Sequence, residues 1–238
     1  MTHTLHFACE SVAADGARST RLLPFAPRRL VIAGWTGRDR AAIEHHIEEL
    51  QALGVPPPSS VPLYYRVGAA LLTQDAQIEA LGARSSGEAE PVLFFAAGEW
   101  WLTVGSDHTD RQVETYSVAV SKQMCAKPVA TAAWRWADVA PYQDELQLSS
   151  RILEGGRWVP YQQGALAAIR PLAGLRDGFF QDPPQEGSAM SCGTLGALPN
   201  AQGEAIRPAA EMELALHDPR LGRSIVHRYA VQVLDVVA

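Results

Sequence analysis

The stretch Ser86-GEAEPVLFFAAGEWWLTVGSDHTD-Arg111 decides the reading of this 238-residue chain. PVLFFA and EWWLTVG are apolar runs of strand length, and Ala97-Gly98 between them suits a tight hairpin turn. Side chains alternate faces along an extended strand, so Glu88 and Glu90 point the same way. Two carboxylates on one face repel unless a cation or a shared proton neutralises them, or unless they form a solvated strand edge. Folding about the turn returns Asp107 and Asp110 toward the start of the first strand and sets Asp107 almost opposite Glu90. Three converging carboxylates with no thiol nearby suit a hard divalent cation, Mg²⁺ or Mn²⁺, with Ca²⁺ as a substitute in a crystal. His108 reads as a supporting or exposed group rather than a ligand.

Upstream of the hairpin, RRLVIAGW is a short buried strand ending at a glycine turn, and the following RAAIEHHIEELQALG is the clearest helix. It starts near Thr36 or Asp39 and stops at Gly54, with Pro56 to Pro58 blocking continuation. Ile43, Ile47, Leu50 and Leu53 form its apolar stripe. The prolines divide the chain into residues 1–55, N-terminal strands and helix, and residues 56–238, a β-rich core, within one globular unit. Beyond them VPLYYRV and YSVAVS read as strands. LQLSSRILEGGRWVPY is a hairpin turning at Gly155-Gly156, and a third hairpin turns between Asp218 and Gly222. Strands far outnumber helices, so the fold class is α+β and β-rich.

Composition removes several functions. The formal net charge is −6, and no basic block of five residues occurs, which excludes nucleic-acid binding through phosphates and binding to anionic membranes. The longest mainly apolar stretch, PVLFFAA, is far shorter than the roughly 20 residues of a membrane helix. Three scattered cysteines suggest neither a disulfide framework nor a thiolate zinc site. The chain reads as soluble and cytoplasmic. No phosphate loop or dinucleotide fingerprint is present.

Other candidates carry chemistry. His46 and Glu49, three apart on the helix, are neighbours on one face. A half-buried His beside a carboxylate is a general base with its orienter, and the alternative is a surface pair. Of the 20 basic residues only Lys122 and Lys127 are lysines. Where Arg is the default cation, a retained Lys suggests need for a compact ammonium, against chance on a surface loop. Arg111 either binds a substrate carboxylate or neutralises Asp110. Trp100 and Trp101 cannot both face the core, so one lies at a pocket or subunit surface.

The order of these motifs resembles the fumarylacetoacetate hydrolase superfamily, in particular its acylpyruvase and oxaloacetate decarboxylase members. The matching segments are His46-IE-Glu49, PLYYRV with Arg66 in a lysine position, Glu88-A-Glu90, Asp107-HTD-Arg111, Ser121-Lys122 and CG-Thr194-L. Arg66 replaces a lysine, Leu195 a proline and Glu114 a glutamine found in some members. Within that superfamily the chain resembles a bacterial family known only as a domain of unknown function.

The resemblance implies a distorted β-barrel or β-roll core with a short helical lid segment, and a metal held by Glu88, Glu90 and Asp107. It implies His46, Glu49 and Lys122 as catalytic residues, with Arg66, Arg111 and Thr194 binding substrate. Lys127 has no counterpart in the pattern and reads as structural. The implied activity is metal-dependent hydrolysis or decarboxylation of a small 2-oxo acid or 1,3-dicarbonyl compound by a homodimer. Hydration or tautomerisation on the same metal is the alternative, as is a silent β-domain binding a small carboxylate or a partner protein.

Overall fold

The computed structural model describes residues 3–52, 57–180 and 183–237; the side chains of residues 42, 46, 49, 50 and 52 lie outside that description. An eight-stranded mixed sheet runs in the order Arg18–Phe25, Leu5–Val12, Ala132–Arg135, Glu99–Ser106, Ala89–Ala96, Ser188–Ser191, Arg29–Gly34 and Leu63–Val67. A five-stranded sheet runs Arg157–Ala165, Gln147–Glu154, Glu211–Asp218, Arg223–Leu234 and Gln77–Leu81. The sheets stay open, with no closed barrel among the described residues, and the architecture is β-roll-like. Strands from the first 34 residues sit in the same sheet as the 89–106 hairpin.

Both faces of the large sheet are covered, which is why its central strand is an almost unbroken apolar run rather than an alternating one. Ala89 and Leu93 join Leu102, Leu148, Leu214 and Tyr229 in the core between the sheets. Phe94 and Trp101 turn the other way and pack with Phe7, Phe25 and Ile32. Phe7 stacks on Phe94 with ring centres 4.2 Å apart. Glu90 shares the Phe94 face by the period-two rule, so the carboxylate stands at one end of an aromatic core. Trp100 is half-buried against Phe95 and Phe180, beside a cavity, in keeping with only one tryptophan entering the core.

The three hairpins form as the sequence predicts. Ala97 and Gly98 have φ of 54° and 77°, the left-handed pair that a two-residue turn between twisted strands requires. The register differs by two from the sequence expectation: Glu90 pairs with Gly105, while Asp107 donates its N–H to the Glu88 carbonyl at 3.0 Å. The early helix spans Arg40–Ala52, and its expected stop at Gly54 lies outside the described residues, as does Leu53 of the stripe.

YSVAVS is the clear correction. Val118–Met124 is a helix capped by Ser117, whose hydroxyl accepts the Val120 N–H at 3.4 Å. Its alternating valines imitate a strand, but the serine cap and the burial of Ser121 and Lys122 on one side decide for a helix. Among the described residues, no helix is long and apolar enough to cross a membrane.

Candidate functional site

The hairpin ends deliver the carboxylates. One ligand oxygen from each of Glu88, Glu90 and Asp107 lies within 4.8 Å of the others. Asp107 is fully buried and Glu90 is 2% exposed, while the Glu88 side chain keeps 20% of its surface open. Burial, reinforced by the Asp107 charge, pushes the Glu90 carboxyl up to about 8. Burial also raises Glu88, against the pull of Arg111 and Lys122. Asp107 behaves oppositely: burial resists its ionisation, but Lys122 and Lys127 together hold it well below the usual carboxylate range.

Two ammonium groups therefore share one aspartate. Lys122, 6% exposed on the Val118–Met124 helix, donates to Asp107 Oδ2 and lies 5.7 Å from the Tyr65 ring centre. Burial disfavours its charge, yet Asp107 and Glu88 raise it well above the usual lysine range. The Lys127 Nζ lies 3.0 Å from Asp107 Oδ1 and donates to the His108 carbonyl. Lys127 is 2% exposed, a buried counter-ion to the same aspartate. The unusual retention of lysine, argued for Lys122, applied to both members of SKQMCAK.

The surrounding groups fix this geometry. Gly193 donates its N–H to Glu90 Oε2 at 3.0 Å. Its φ is +95°, and a Cβ there would stand 1.6 Å from Thr36 Oγ1, so only glycine allows the approach. The Thr194 hydroxyl donates to the Ala89 carbonyl at 2.8 Å, between the two glutamates. Gln162 receives the Ala89 N–H at 2.8 Å and donates to the Leu195 carbonyl at 2.8 Å, which clamps the Glu-Ala-Glu segment to the 194–195 turn. Sequence reasoning missed Gly193 and Gln162, because both reach the hairpin from far along the chain.

Arg111 resolves one of the sequence alternatives. Its guanidinium contacts Glu88 at 3.3 Å and Glu114 at 2.9 Å and donates to Ser86 Oγ at 2.7 Å. Asp110 instead caps the Arg111–Glu114 helix through the N–H groups of Gln112 and Val113, so its neutralisation by Arg111 is not what the fold uses. His108 is buried between Tyr229 and Ser85, at 3.0 Å and 2.9 Å. Burial, with the charges of Lys127 and Arg111, lowers it to about 3, so it is a neutral spacer.

Arg66 stands apart from this group. It is exposed on the Leu63–Val67 edge strand and alternates to the face opposite Tyr65. His46 and Glu49 sit in the Arg40–Ala52 helix, and their side chains lie outside the described residues.

The donor set fits a hard divalent cation. All three groups offer carboxylate oxygens, and both lysine ammonium groups lie against Asp107. Glu90 has no ion-pair partner among the described residues, so a cation is what would let it ionise beside Asp107 near neutral pH.

Comparison with known proteins agrees at the level of fold. The fumarylacetoacetate hydrolase from Exiguobacterium antarcticum matches with a TM-score of 0.61 at 14% identity, over 92% of this chain and 81% of that one. The apo form of 2-keto-3-deoxy-D-arabinonate dehydratase matches with a TM-score of 0.61 at 13% identity, over 90% and 77%. The same dehydratase complexed with magnesium and 2,5-dioxopentanoate matches with a TM-score of 0.60 at 12% identity, over 91% and 77%. The fold is thus of the fumarylacetoacetate hydrolase type, as the order of motifs implied. No curated protein matches the sequence. The family described as "Protein of unknown function (DUF2848)" matches residues 33–229, and the chain belongs to that family.

Proposed function

We propose that this protein is a divalent-metal-dependent enzyme that cleaves a carbon–carbon bond, by hydrolysis or decarboxylation, in a small 2-oxo acid or 1,3-dicarbonyl compound. The observation that carries the reading is the convergence of Glu88, Glu90 and Asp107 within 4.8 Å, with the Lys122 ammonium against the same aspartate. Glu88, Glu90 and Asp107 would hold Mg²⁺ or Mn²⁺. When bound, such an ion supplies Lewis acidity toward a 2-oxo carboxylate and its enolate.

The protein's own groups divide the remaining work. Lys122, mounted on a helix beside the opening at Glu88, neutralises a substrate oxygen. Arg111, fixed by Ser86 and Glu114, orients a carboxylate at the same opening. Thr194 binds substrate or, through Ala89, keeps the two glutamates in register. His46, with Glu49 one turn away, moves the proton as the helical lid segment closes. Arg66 is the weakest member of the set, since its face of the edge strand points elsewhere. We further propose a cytoplasmic homodimer, which light scattering would test.

Hydration or dehydration of a 2-oxo acid is the second reading, supported by the equal likeness to a dehydratase and to a hydrolase. The deciding experiment offers acylpyruvates, oxaloacetate and 3-deoxy-2-oxo acids with Mg²⁺ or Mn²⁺ and identifies the products. Cleavage products support the first reading, and loss or gain of water alone supports the second. No turnover and no metal-dependent stabilisation would make the chain a silent binding domain.

A further inference from the structure

Tyr229 is fully buried, and its hydroxyl lies among three side chains. Ser106 Oγ is 2.9 Å away, His108 Nδ1 3.0 Å and Met212 Sδ 3.4 Å. Ser106 Oγ also receives the Glu88 N–H at 3.3 Å, and His108 Nε2 lies 2.9 Å from Ser85 Oγ. One proton arrangement runs this chain in a single direction, from Glu88 N–H to Ser106, then to Tyr229, to His108 and to Ser85. Its members come from residues 85–88, residues 106–108 and the last strand, Arg223–Leu234.

A phenylalanine would suit the apolar part of this core, where Tyr229 joins Leu102, Leu148 and Leu214. A buried hydroxyl costs free energy unless it is bonded, so the destination of its bonds is informative. They go to the residues on either side of Asp107, and through Ser106 to the backbone of Glu88. Strand pairing in the hairpin ends at Ala89 with Ser106, and past it the Asp107 N–H bonds the Glu88 carbonyl. The ligand-bearing ends therefore project beyond the ladder, onto the phenol. Gly87 permits the approach, since a Cβ there would collide with the Tyr229 hydroxyl, Met212 Sδ and Ser106 Oγ. His108 extends the connection, because its carbonyl accepts from the Lys127 ammonium.

We infer that Tyr229 is a positioning residue of the carboxylate cluster: its hydroxyl ties both ends of the hairpin to the second sheet and holds Glu88 and Asp107 together for a cation. The inference rests on the reading of the three carboxylates as a metal centre. Crowded carboxylates repel, and a scaffold that holds them in place removes that reorganisation from the binding step. Groups that support metal ligands change affinity by about 10–100-fold. Tyr229 acts through Ser106 and His108 rather than on a carboxylate directly, which places it at the lower end.

The test is calorimetric titration of the full chain with Mn²⁺ alone, beside a melting curve for each variant. Tyr229→Phe should bind Mn²⁺ about tenfold more weakly than the wild type. Tyr142→Phe is the control: it also loses a phenol hydrogen bond, to the buried Asp218 at 3.0 Å, and should keep wild-type affinity. Ser106→Ala cuts the link from Tyr229 to Glu88 and should weaken binding too. The double variant should then bind about as weakly as the worse single one, because both changes break one chain. Wild-type affinity in Tyr229→Phe overturns the inference whatever its melting temperature, as does equal weakening in Tyr142→Phe or full additivity in the double variant. If Tyr229→Phe does not fold, Ser106→Ala decides alone, and wild-type affinity there overturns the inference. A wild type that binds no Mn²⁺ overturns the metal reading as well.

Discussion

Replacing Lys127 by methionine tests the electrostatic design of the site most severely. The Lys127 Nζ is 3.0 Å from Asp107 Oδ1, its side chain is 3% exposed, and Asp107 has no exposed surface. Methionine keeps the length and apolar stem of lysine, so the packing change alone is worth under about 1.5 kcal/mol. Removing one partner of a buried ion pair costs about 3–5 kcal/mol, because the other charge stays buried. Here Lys122 still compensates Asp107 and Glu88 is partly open to solvent, which points to the lower end, about 3 kcal/mol.

For a chain of this size that corresponds to a melting temperature lower by about 6–12 °C. Thermal unfolding followed by far-ultraviolet circular dichroism, without added divalent cation, measures it. The pairing also requires that Asp107→Asn and Lys127→Met together cost less than the sum of the single changes. A shift under about 2 °C for Lys127→Met, or strict additivity in the double variant, would refute the assignment. Lys127→Arg should also destabilise, by about 1–3 kcal/mol, since a guanidinium overfills a site that is already closed.

Gly193→Ala should lower the melting temperature markedly and weaken metal binding, because the new Cβ would collide with Thr36 and Glu90 would lose its backbone donor. A variant that melts and binds Mn²⁺ like the wild type would show that this approach is not required. Lys122→Arg should keep its fold and metal affinity but lose on the order of 10²-fold in turnover, the cost of displacing a reactant by about 1 Å. Rates equal to wild type would reduce Lys122 to a structural counter-ion. His46→Ala should abolish turnover with metal affinity retained, whereas His45→Ala should be nearly silent; the reverse result would overturn the assigned helical phase.

What the sequence made legible was what forms locally. The 89–106 hairpin is visible because its apolar runs flank a turn whose two residues must be left-handed, and Ala97-Gly98 meets that need. The carboxylate pair of Glu88 and Glu90 follows from strand periodicity alone. The register of Asp107 was out by two because the turn fixes where counting starts, and only the paired backbone shows it.

Distant partners left no such trace. Ser188–Ser191 inserts beside Ala89–Ala96, and Leu5–Val12 lies parallel to Ala132–Arg135. Neither pairing has a turn or periodicity that announces it. Gly193 reaches Glu90 across 103 residues for the same reason. The misread YSVAVS segment shows the complementary failure: β-branched alternation is a weak signal when a serine cap and a buried lysine favour a helix.

The most direct measurement of the central claim is anomalous diffraction from crystals soaked in Mn²⁺ and oxalate. The account expects one strong manganese peak bonded by carboxylate oxygens of Glu88, Glu90 and Asp107, with oxalate completing the coordination and the Lys122 ammonium beside it. Crystals of Glu90→Ala treated in the same way should show no peak there. A wild-type crystal with no manganese at these three carboxylates, or with the ion bound elsewhere in the fold, would contradict the assignment of this cluster as the metal centre.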